Sequence, residues 1–253
     1  MIELKTNDEI EAIARAGAII GRLFGELPAR VQPGVTTAQI DEFADEFIRA
    51  HERATPAFKG LYGFPRSVCI SVNEEVVHGI PSPKKRLEEG DIVSIDVGVK
   101  LEGWYADAAV TLPVGRVDSE TRRLLDVTEA SLRQGIQEAR AGRRLGDVGH
   151  AIQTTAEEAG FSVVRDLVGH GLGRQLHEEP QVPNFGRPGR GLALRPGLVI
   201  AIEPMVNQGT PTVHTLEDKW TVVTADGLRS SHFEHTIAVT ENGPRVLTAP
   251  LEG

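Results

Sequence analysis

The spacing of apolar residues along the chain predicts four amphipathic helices. The first covers 7–27, where apolar side chains recur at helical intervals and Thr6 or Asn7 is a plausible N-cap. The second begins at Thr36, because Gln39 follows three residues later and completes the pattern of a capping box. Two more helices are predicted over 118–142 and 145–160.

Strand patterns follow each pair of helices. The clearest is 91–112, DIVSIDVGVKLEGWYADAAVTL, which predicts a hairpin with its turn at residues 100–103. Shorter apolar runs predict further strands within 67–73, 197–206, 220–230 and 235–240. The order of elements is therefore two helices and then strands, followed by the same order again.

This order suggests an internal repeat. Residues 33–44 (PGVTTAQIDEFA) align with 141–152 (AGRRLGDVGHAI). Residues 88–96 align with a segment that ends at Glu203, at nearly the same shift along the chain. Chance is the alternative, because glycine and β-branched residues recur in any strand, but two matches with nearly equal shifts favour a duplication.

The domain organisation follows from the repeat and the length. We predict a single domain over 1–253 with repeated halves at approximately 7–115 and 118–245, in which Asp96 and Glu203 are equivalent. A chain of 253 residues is long enough for one large core or two intimate halves.

Composition and charge narrow the class of protein. The hydrophobic content of 40% and charged content of 25% are ordinary for a folded soluble protein. A net charge of −9 argues against nonspecific binding of DNA or other nucleic acid. The single cysteine, Cys69, excludes an internal disulfide and suits a reducing cytoplasm. The N-terminus lacks the apolar segment of a signal peptide, and no apolar run approaches the ~18 residues that span a bilayer. We therefore expect a cytoplasmic protein that does not bind membranes.

The predicted hairpin carries a carboxylate in each strand. With the turn at 100–103, Asp96 and Asp107 are expected directly opposite one another on one face, while Val93, Ile95, Val97 and Val99 face the core. Two facing, partly buried carboxylates need a cation, a shared proton or bulk water. Full exposure to solvent is the alternative, which the apolar surroundings disfavour.

Further candidates lie in the second half of the chain. His170 and His177 occur among glycines, Glu203 ends an apolar run, and Glu234 stands where a strand begins. Each of these residues alone is more typical of a structural role. Together with the two aspartates, this carboxylate-rich set with few histidines suits a pair of divalent first-row ions better than a structural zinc. Cys69 lies inside a strand pattern and is expected to be a buried hydrophobe rather than a nucleophile.

Several segments together resemble one enzyme family. They are PGVTTAQID, FPRSVCISVNEEVVHGIPS, GDIVSIDVGVKLEGWYADAAVT, GHGLGRQLHEEPQVPN, GLVIAIEPM and SSHFEHTIAVT. The chain resembles the short bacterial form of type I methionine aminopeptidase over essentially its full length. The resemblance implies the α/β (α+β) "pita-bread" fold, two pseudo-symmetric halves of helices on a curved, mainly antiparallel sheet. It also implies hydrolytic removal of the initiator methionine from nascent proteins and peptides with a small second residue.

The resemblance assigns roles to individual residues. It implies that two divalent ions (Co, Mn, Fe or Zn) are held by Asp96, Asp107, His170, Glu203 and Glu234. Glu203 would also move the proton of the attacking water, His177 would donate to the scissile carbonyl, and His78 would contact the amide of the cleaved bond. Without the resemblance, His78 would be interpreted as a turn histidine.

The resemblance also implies a pocket for the methionine side chain and a cation site. The pocket residues are Phe58, Leu61, Phe64, Cys69, Leu176 and Trp220. Phe58, Leu61 and Leu176 differ from residues common in the family, which affects the expected shape of the pocket. Asn73 and Ser230 match positions that hold a sodium or potassium ion in relatives, with loop capping as an equal alternative.

Two other functions are consistent with the same fold. A proline-specific aminopeptidase shares the architecture and the ligands, but such enzymes usually carry an additional N-terminal domain, whereas the repeat here begins almost at residue 1. A non-catalytic binding protein typically lacks some of the metal ligands, and all five are present here. We expect a monomer whose partners are nascent polypeptide N-termini at the ribosome.

Overall fold

All four predicted helices are present in the computed structural model, which describes residues 2–249. They are α1 (Asn7–Glu26), α2 (Thr37–Arg49), α3 (Ser119–Glu138) and α4 (Leu145–Glu158). Thr6 caps α1, and Thr36 caps α2 with the predicted capping box, in which Gln39 Oε1 accepts from the Thr36 N–H at 2.9 Å. Side-chain capping of this kind satisfies backbone N–H groups that a helix leaves free at its start, and it fixes where these two helices begin.

Fifteen short strands are found within the described residues. The first half contains β1 (Ala54–Pro56), β2 (Cys69–Val72), β3 (Glu75–Val77), β4 (Ile92–Leu101) and β5 (Trp104–Pro113). The second half contains β6 (Ser162–Val163), β7 (Gly169–Gly171), β8 (Glu178–Val182), β9 (Val199–Ile202), β10 (Met205–Asn207), β11 (Val213–Thr215), β12 (Val222–Thr224), β13 (Ser230–His232), β14 (Glu234–Thr240) and β15 (Gly243–Val246).

The strands form one large curved sheet and two small ones, and every pairing is antiparallel. The large sheet has nine strands, in the order β1-β4-β5-β14-β9-β7-β8, with β2 paired to β4 and β15 to β14. The small sheets are β13-β10-β6 and β11-β12-β3. Because β5 pairs with β14, the strands of the two halves of the chain meet at the middle of the large sheet. The mixed helix and sheet architecture confirms the predicted fold class.

Each pair of helices covers its own hydrophobic core. One core lies between α1, α2 and the hairpin β4–β5, and the other between α3, α4 and strands β9 and β14. The four residues predicted to face inward from β4 all lie in the first core: Val93, Ile95, Val97 and Val99. Complete burial of a side chain of this size stabilises the fold by about 1.5–3 kcal/mol. The helices therefore bury one face of the sheet and leave the other face available for polar residues.

The hairpin is present, but its predicted register is wrong by two residues. Asp96 lies opposite Ala109, and Asp107 lies opposite Gly98. The cause is a two-residue loop, since Glu102 and Gly103 both adopt positive φ (51° and 86°), as type I′ hairpin turns require. A shift of two residues keeps every side chain on the same face. Both aspartates therefore still point to the face opposite the core, as diagonal rather than direct neighbours.

The apolar run at 197–206 forms two strands instead of one. β9 ends at Ile202 in the large sheet, and β10 begins at Met205 in a small sheet. Proline has no backbone N–H for a ladder, so Pro204 is suited to this transition. The same register continues through both ladders, because Ile202 pairs with His235 and Met205 with His232. This register leaves Glu203 opposite Glu234.

Two isolated bridges occur at positions related by the predicted repeat. They join Thr36 to Arg86 and Arg144 to Ala193. Arg144 follows Thr36, and Ala193 follows Arg86, by nearly the same number of residues as separates the aligned segments of the repeat. These bridges support a duplication, which stays a prediction.

Met1 and residues 250–253, which the predicted domain includes, lie outside the described residues. Between residues 2 and 249, none of the helices combines the length and the apolar character needed to cross a bilayer.

Candidate metal centre

The candidate ligands lie along one row across the large sheet. Asp96 pairs with Cys69 on one side and with Ala109 on the other. Ala109 also pairs with Glu234, which lies opposite Glu203. Paired residues of adjacent strands point to the same face of a sheet. The row therefore places three carboxylates in line, with the methyl group of Ala109 between the first two.

Asp107 adds a fourth carboxylate beside this row. It lies two residues before Ala109 on β5, and its side chain is 3% exposed. The Thr236 hydroxyl accepts a hydrogen bond from the Asp107 N–H at 3.0 Å and donates to the Asp107 carbonyl at 2.7 Å. Gly98, opposite Asp107, makes room for the pocket, because a Cβ there would lie 2.7 Å from the ring of Phe58.

His170 completes the group from strand β7. Its Nε2 lies 3.7 Å from Asp107 Oδ2 and 3.6 Å from Glu203 Oε1. Its Nδ1 lies 2.9 Å from the carbonyl oxygen of Gly171. Because a carbonyl oxygen only accepts, Nδ1 carries the hydrogen and the lone pair of Nε2 faces the carboxylates. Burial lowers the pKa of His170 to about 4, so the imidazole is neutral at pH 7.

The chemistry of these residues fits a cation. Among the described residues, Asp96 Oδ1, Asp107 Oδ1 and Glu234 Oε1 are buried and have no hydrogen-bond partner. Ligand atoms of Asp107, His170 and Glu234 all lie within 4.8 Å of one another. Unpaired buried carboxylate oxygens are costly, and a metal ion removes that cost.

The carboxylates disfavour one another's charge when no cation is present. Burial raises the pKa of Asp96 to about 7. Burial also raises the pKa values of Asp107, Glu203 and Glu234 well above the usual range, and neighbouring carboxylates raise them further. Four acidic groups that resist ionisation in one place indicate a site that binds positive charge.

A cavity of about 580 Å³ opens onto the five candidate ligands. His78 and His177 both line it and are exposed to it. The His177 ring lies edge-on to His170 at 4.5 Å and stacks on Tyr62 at 6.0 Å between centroids. His78 adopts a left-handed backbone with φ of 60°, which is uncommon for a residue other than glycine. The two histidines that are predicted to contact substrate are thus in the same cavity as the carboxylates.

The six predicted pocket residues form one apolar cluster. Phe58, Phe64, Cys69 and Leu176 are buried, and Leu61 and Trp220 pack against them. The rings of Phe64 and Trp220 make an edge contact at 5.1 Å. Leu176 packs within the cluster but does not line the cavity, whereas the other five residues do. Burial and the nearby carboxylates raise the pKa of the Cys69 thiol, which suits the predicted role of a buried hydrophobe.

The two residues of the predicted monovalent-cation site are neighbours. The Ser230 N–H donates to the Asn73 carbonyl at 2.9 Å. The side-chain amide of Asn73 is already in use, since Nδ2 donates to Asp91 Oδ1 at 2.8 Å and Oδ1 accepts from the Ile92 N–H at 3.1 Å. These bonds are the loop capping that the sequence offered as the alternative to a cation site. The cation site stays a prediction.

Three residues around the site were not predicted. His232 is buried with Nε2 3.9 Å from Glu203 Oε2, and burial lowers its pKa to about 3. Asn184 Nδ2 donates to the Glu203 carbonyl at 3.0 Å, and Thr236 holds the backbone of Asp107. The only signal for His232 in the sequence is its spacing of two residues from Glu234, which places both on one face of an extended segment.

Comparisons with known proteins agree with this geometry. The family model "Metallopeptidase family M24" matches residues 11–241. A protein of Clostridium perfringens named methionine aminopeptidase is 54% identical over 248 residues, covering 98% of this chain and 99% of that protein. The crystal structure of a methionine aminopeptidase from Thermotoga maritima has a TM-score of 0.96 and 49% identity, covering 98% of this chain and all of that one.

A more distant likeness shows the fold alone. The prolidase from Pyrococcus furiosus has a TM-score of 0.78 at 23% identity, and the likeness covers 98% of this chain and 66% of that one.

Proposed function

Since the chain belongs to metallopeptidase family M24, we propose that it is a metal-dependent methionine aminopeptidase. It hydrolyses the first peptide bond of nascent proteins and peptides that begin with methionine followed by a small residue. The observation that carries this proposal is the group of buried carboxylate oxygens without partners, located at the end of a cavity with an apolar wall. High identity to proteins named methionine aminopeptidase over nearly the whole chain supports the choice of substrate.

The proposed metal ligands are four carboxylates and one imidazole. They are Asp96, Asp107, His170, Glu203 and Glu234. This donor set fits a pair of divalent ions among Mn, Fe, Co and Zn, because oxygen and imidazole ligands suit all of them. When bound, the ions supply Lewis acidity that polarises the scissile carbonyl and acidifies the attacking water. His170 offers only Nε2, because Nδ1 is bonded to Gly171.

The remaining steps are assigned to side chains of the chain itself. The carboxylate of Glu203 accepts the proton of the attacking water and passes it to the leaving amine. His177 donates to the carbonyl oxygen as negative charge develops on it, and His78 contacts the amide of the cleaved bond. Both histidines line the cavity beside the carboxylates, which supports these roles.

The apolar wall of the cavity selects the methionine side chain. Phe58, Phe64 and Trp220 present aromatic rings around the buried Cys69. A thioether gains favourable contacts from aromatic rings, and its flexible chain adapts to an irregular pocket. The rings of Phe64 and Trp220 already support each other through their edge contact, which keeps the pocket formed without substrate.

We further propose a cytoplasmic monomer that acts on nascent chains at the ribosome. The single buried Cys69 is compatible with a reducing compartment. A prolidase-like activity is the second candidate, because a prolidase shares the fold. A non-catalytic role is disfavoured, because no ligand of the set is replaced and the orphaned carboxylate oxygens are retained at a cost in stability.

The test is release of methionine by protein that has been stripped of metal and reloaded. Protein treated with a chelator should be inactive, and loading with Co²⁺ or Mn²⁺ under anaerobic conditions should restore release of methionine from a Met-Gly peptide. A Met-Trp peptide and an Ala-Pro dipeptide serve as controls and should be poor substrates. Absence of release with every divalent ion would contradict the proposal, and preference for Ala-Pro would favour the prolidase alternative.

A further inference from the structure

Lys5 is a buried lysine near the cavity that the proposed reaction does not use. Its side chain is 2% exposed, and its Nζ lies 2.8 Å from Glu178 Oε2. A second carboxylate, Glu3 Oε2, lies 3.3 Å from Nζ but belongs to a side chain that is 68% exposed. A buried ammonium group requires a close anion, because burial removes its hydration. Glu178, which is 17% exposed, is the partner that meets this requirement.

Glu178 joins Lys5 to the segment that carries His177. It is the first residue of β8 and follows directly after Leu176 and His177. Its second oxygen, Oε1, accepts from the Gln175 N–H at 3.0 Å. The carboxylate of Glu178 therefore holds both the ammonium of Lys5 and the backbone of the loop between β7 and β8.

The same loop makes room for Lys5 at its other end. A Cβ on Gly173 would lie 2.4 Å from Lys5 Cε and 2.8 Å from its Nζ, so a larger residue here would displace the Lys5 side chain. The Gly173 carbonyl accepts from the Tyr105 N–H at 2.9 Å. The Arg174 guanidinium lies over the ring of Trp104 at 3.7 Å, which adds a cation–π contact. The loop is thus bonded to β5 at Gly173, and Lys5 lies beside Gly173 and pairs with Glu178 at the other end of the loop.

The backbone of Lys5 is itself fixed to the large sheet. Its N–H donates to the carbonyl of Gly197, two residues before β9, at 2.7 Å. A Cβ on Gly197 would lie 2.8 Å from the Lys5 carbonyl oxygen, so the two segments are in close contact. Lys5 therefore connects the strand that leads to Glu203 with the loop that carries His177.

His177 itself has few constraints of its own. Within residues 2–249 no side-chain hydrogen bond holds its ring, which is exposed to the cavity and packs against the rings of His170 and Tyr62. Its position is set by its two neighbours in sequence, the buried Leu176 on one side and Glu178 on the other.

We propose that Lys5 is a positioning residue that fixes His177 through its ion pair with Glu178. This inference rests on the proposed function, in which His177 donates to the scissile carbonyl. Loss of the ammonium leaves the Glu178 carboxylate without its partner at the wall of the cavity, and the backbone that carries His177 shifts. A displacement of about 1 Å in a group that stabilises the transition state costs about 10²-fold in rate.

Lys5→Met tests this role. We expect kcat to fall by about 10–100-fold, the range found when an outer support of a catalytic group is removed. The KM and the metal content should change little, because the pocket and the ligands remain in place. Arg133→Met is the matched control, since Arg133 forms an exposed ion pair with Glu129 at 2.8 Å on α3, and it should leave kcat unchanged.

A double-mutant cycle of Lys5→Met and His177→Ala shows whether Lys5 acts through His177. In the His177→Ala background, Lys5→Met should have almost no further effect on kcat. Effects that multiply instead would overturn the proposal. The double variant Lys5→Met, Glu178→Gln removes both buried charges and should recover thermal stability without recovering kcat. Recovery of both would mean that the ion pair stabilises the fold but does not position His177.

A spectroscopic measurement keeps the inference independent of the proposed activity. In metal-free protein with labelled histidine, Lys5→Met should shift or broaden the imidazole resonances of His177 and leave those of His150, exposed on α4, unchanged. Unchanged His177 resonances would refute the positioning role. If wild-type protein released no methionine with any metal, the proposed function would fail, while this measurement would still decide the role of Lys5.

Discussion

Two pairs of strands supply the carboxylates of the candidate metal centre, and they do so in different ways. Asp96 and Asp107 lie on the hairpin β4–β5, which a two-residue loop closes. Glu203 and Glu234 lie opposite one another although four other strands, β10 to β13, come between them in the chain. The first pair depends on local turn geometry, whereas the second depends on contacts between distant segments.

The backbone around the two pairs also differs. Both aspartates lie inside continuous strands. Asp96 has a ladder on each side, and Asp107 has a ladder on the β4 side and the Thr236 hydroxyl on the other. Both glutamates lie where the chain passes between the large sheet and a small sheet. Side chains replace the missing ladder there, such as Asn184, which donates to the Glu203 carbonyl. The longer glutamate side chains reach the centre from these less regular positions.

Asp107→Asn is expected to have the largest effect on this arrangement. Loss of a residue that only orients a metal ligand lowers activity by about 10–100-fold. Activity should fall by more than this here, because a proposed ligand itself is lost. The metal-free variant should nevertheless be more stable than metal-free wild type, with a Tm higher by about 2–4 °C for each kcal/mol gained, since burial and neighbouring carboxylates disfavour the charge of Asp107.

Metal content, activity and thermal unfolding of metal-free protein check this prediction. Asp126→Asn is the control, because Asp126 is exposed on α3, and it should change none of the three measurements. A metal-free Asp107→Asn protein that is less stable than wild type would show that the hairpin carboxylates do not repel their neighbours.

Ala109→Val is expected to have the next largest effect, because Ala109 joins the two regions. Its methyl group lies between Asp96 and Glu234 in the row across the sheet. Two additional methyl groups there should separate the ligands and weaken metal binding by about 10–100-fold, as calorimetric titration with Mn²⁺ would measure. Val110→Ile adds volume on the other face, at the first core, and should leave metal affinity unchanged. Equal affinities for all three proteins would contradict the proposed row.

Glu102→Asn is expected to have the smallest effect, confined to the hairpin. Glu102 adopts a positive φ in the turn and forms exposed ion pairs with Arg53 and Arg15. Asparagine tolerates this conformation better, a gain of about 1 kcal/mol, while an exposed ion pair contributes about 0–1 kcal/mol. Because two such pairs are lost, denaturant unfolding should show the stability of Glu102→Asn to be within about 1 kcal/mol of wild type. Glu102→Ala loses the ion pairs without relieving the turn and should be less stable, and the reverse order would contradict the role of the turn.

The local features of the fold could be predicted from the sequence. The capping residues Thr6 and Thr36 and the apolar spacing after them located the first two helices within one residue of their observed starts. The alternation in β4 identified the residues that face the core. The register of the hairpin was wrong because the turn was centred one position too early, although Gly103 has the positive φ typical of a turn.

The candidate site depended more on distant contacts. No pattern within 197–206 predicts that β9 and β10 join different sheets, because this division follows from pairing with strands that come much later in the chain. The roles of His232 and Asn184 depend on where the Glu203 carboxylate and carbonyl lie after the chain has folded. The resemblance to a known family supplied the five proposed ligands, which residue patterns alone indicated only as a carboxylate-rich set.

The row of ligands also has a consequence for the order of events during folding. Of the proposed ligands, the first half of the chain contains Asp96 and Asp107, while the second half contains His170, Glu203 and Glu234. Contacts between residues so distant in sequence form late, because closing long loops is slow. Metal binding by the proposed ligand set therefore requires that β14 has already docked beside β5, after both halves have been synthesised. Bound metal then stabilises the finished molecule only, and it cannot stabilise an incomplete chain that exposes the hairpin alone.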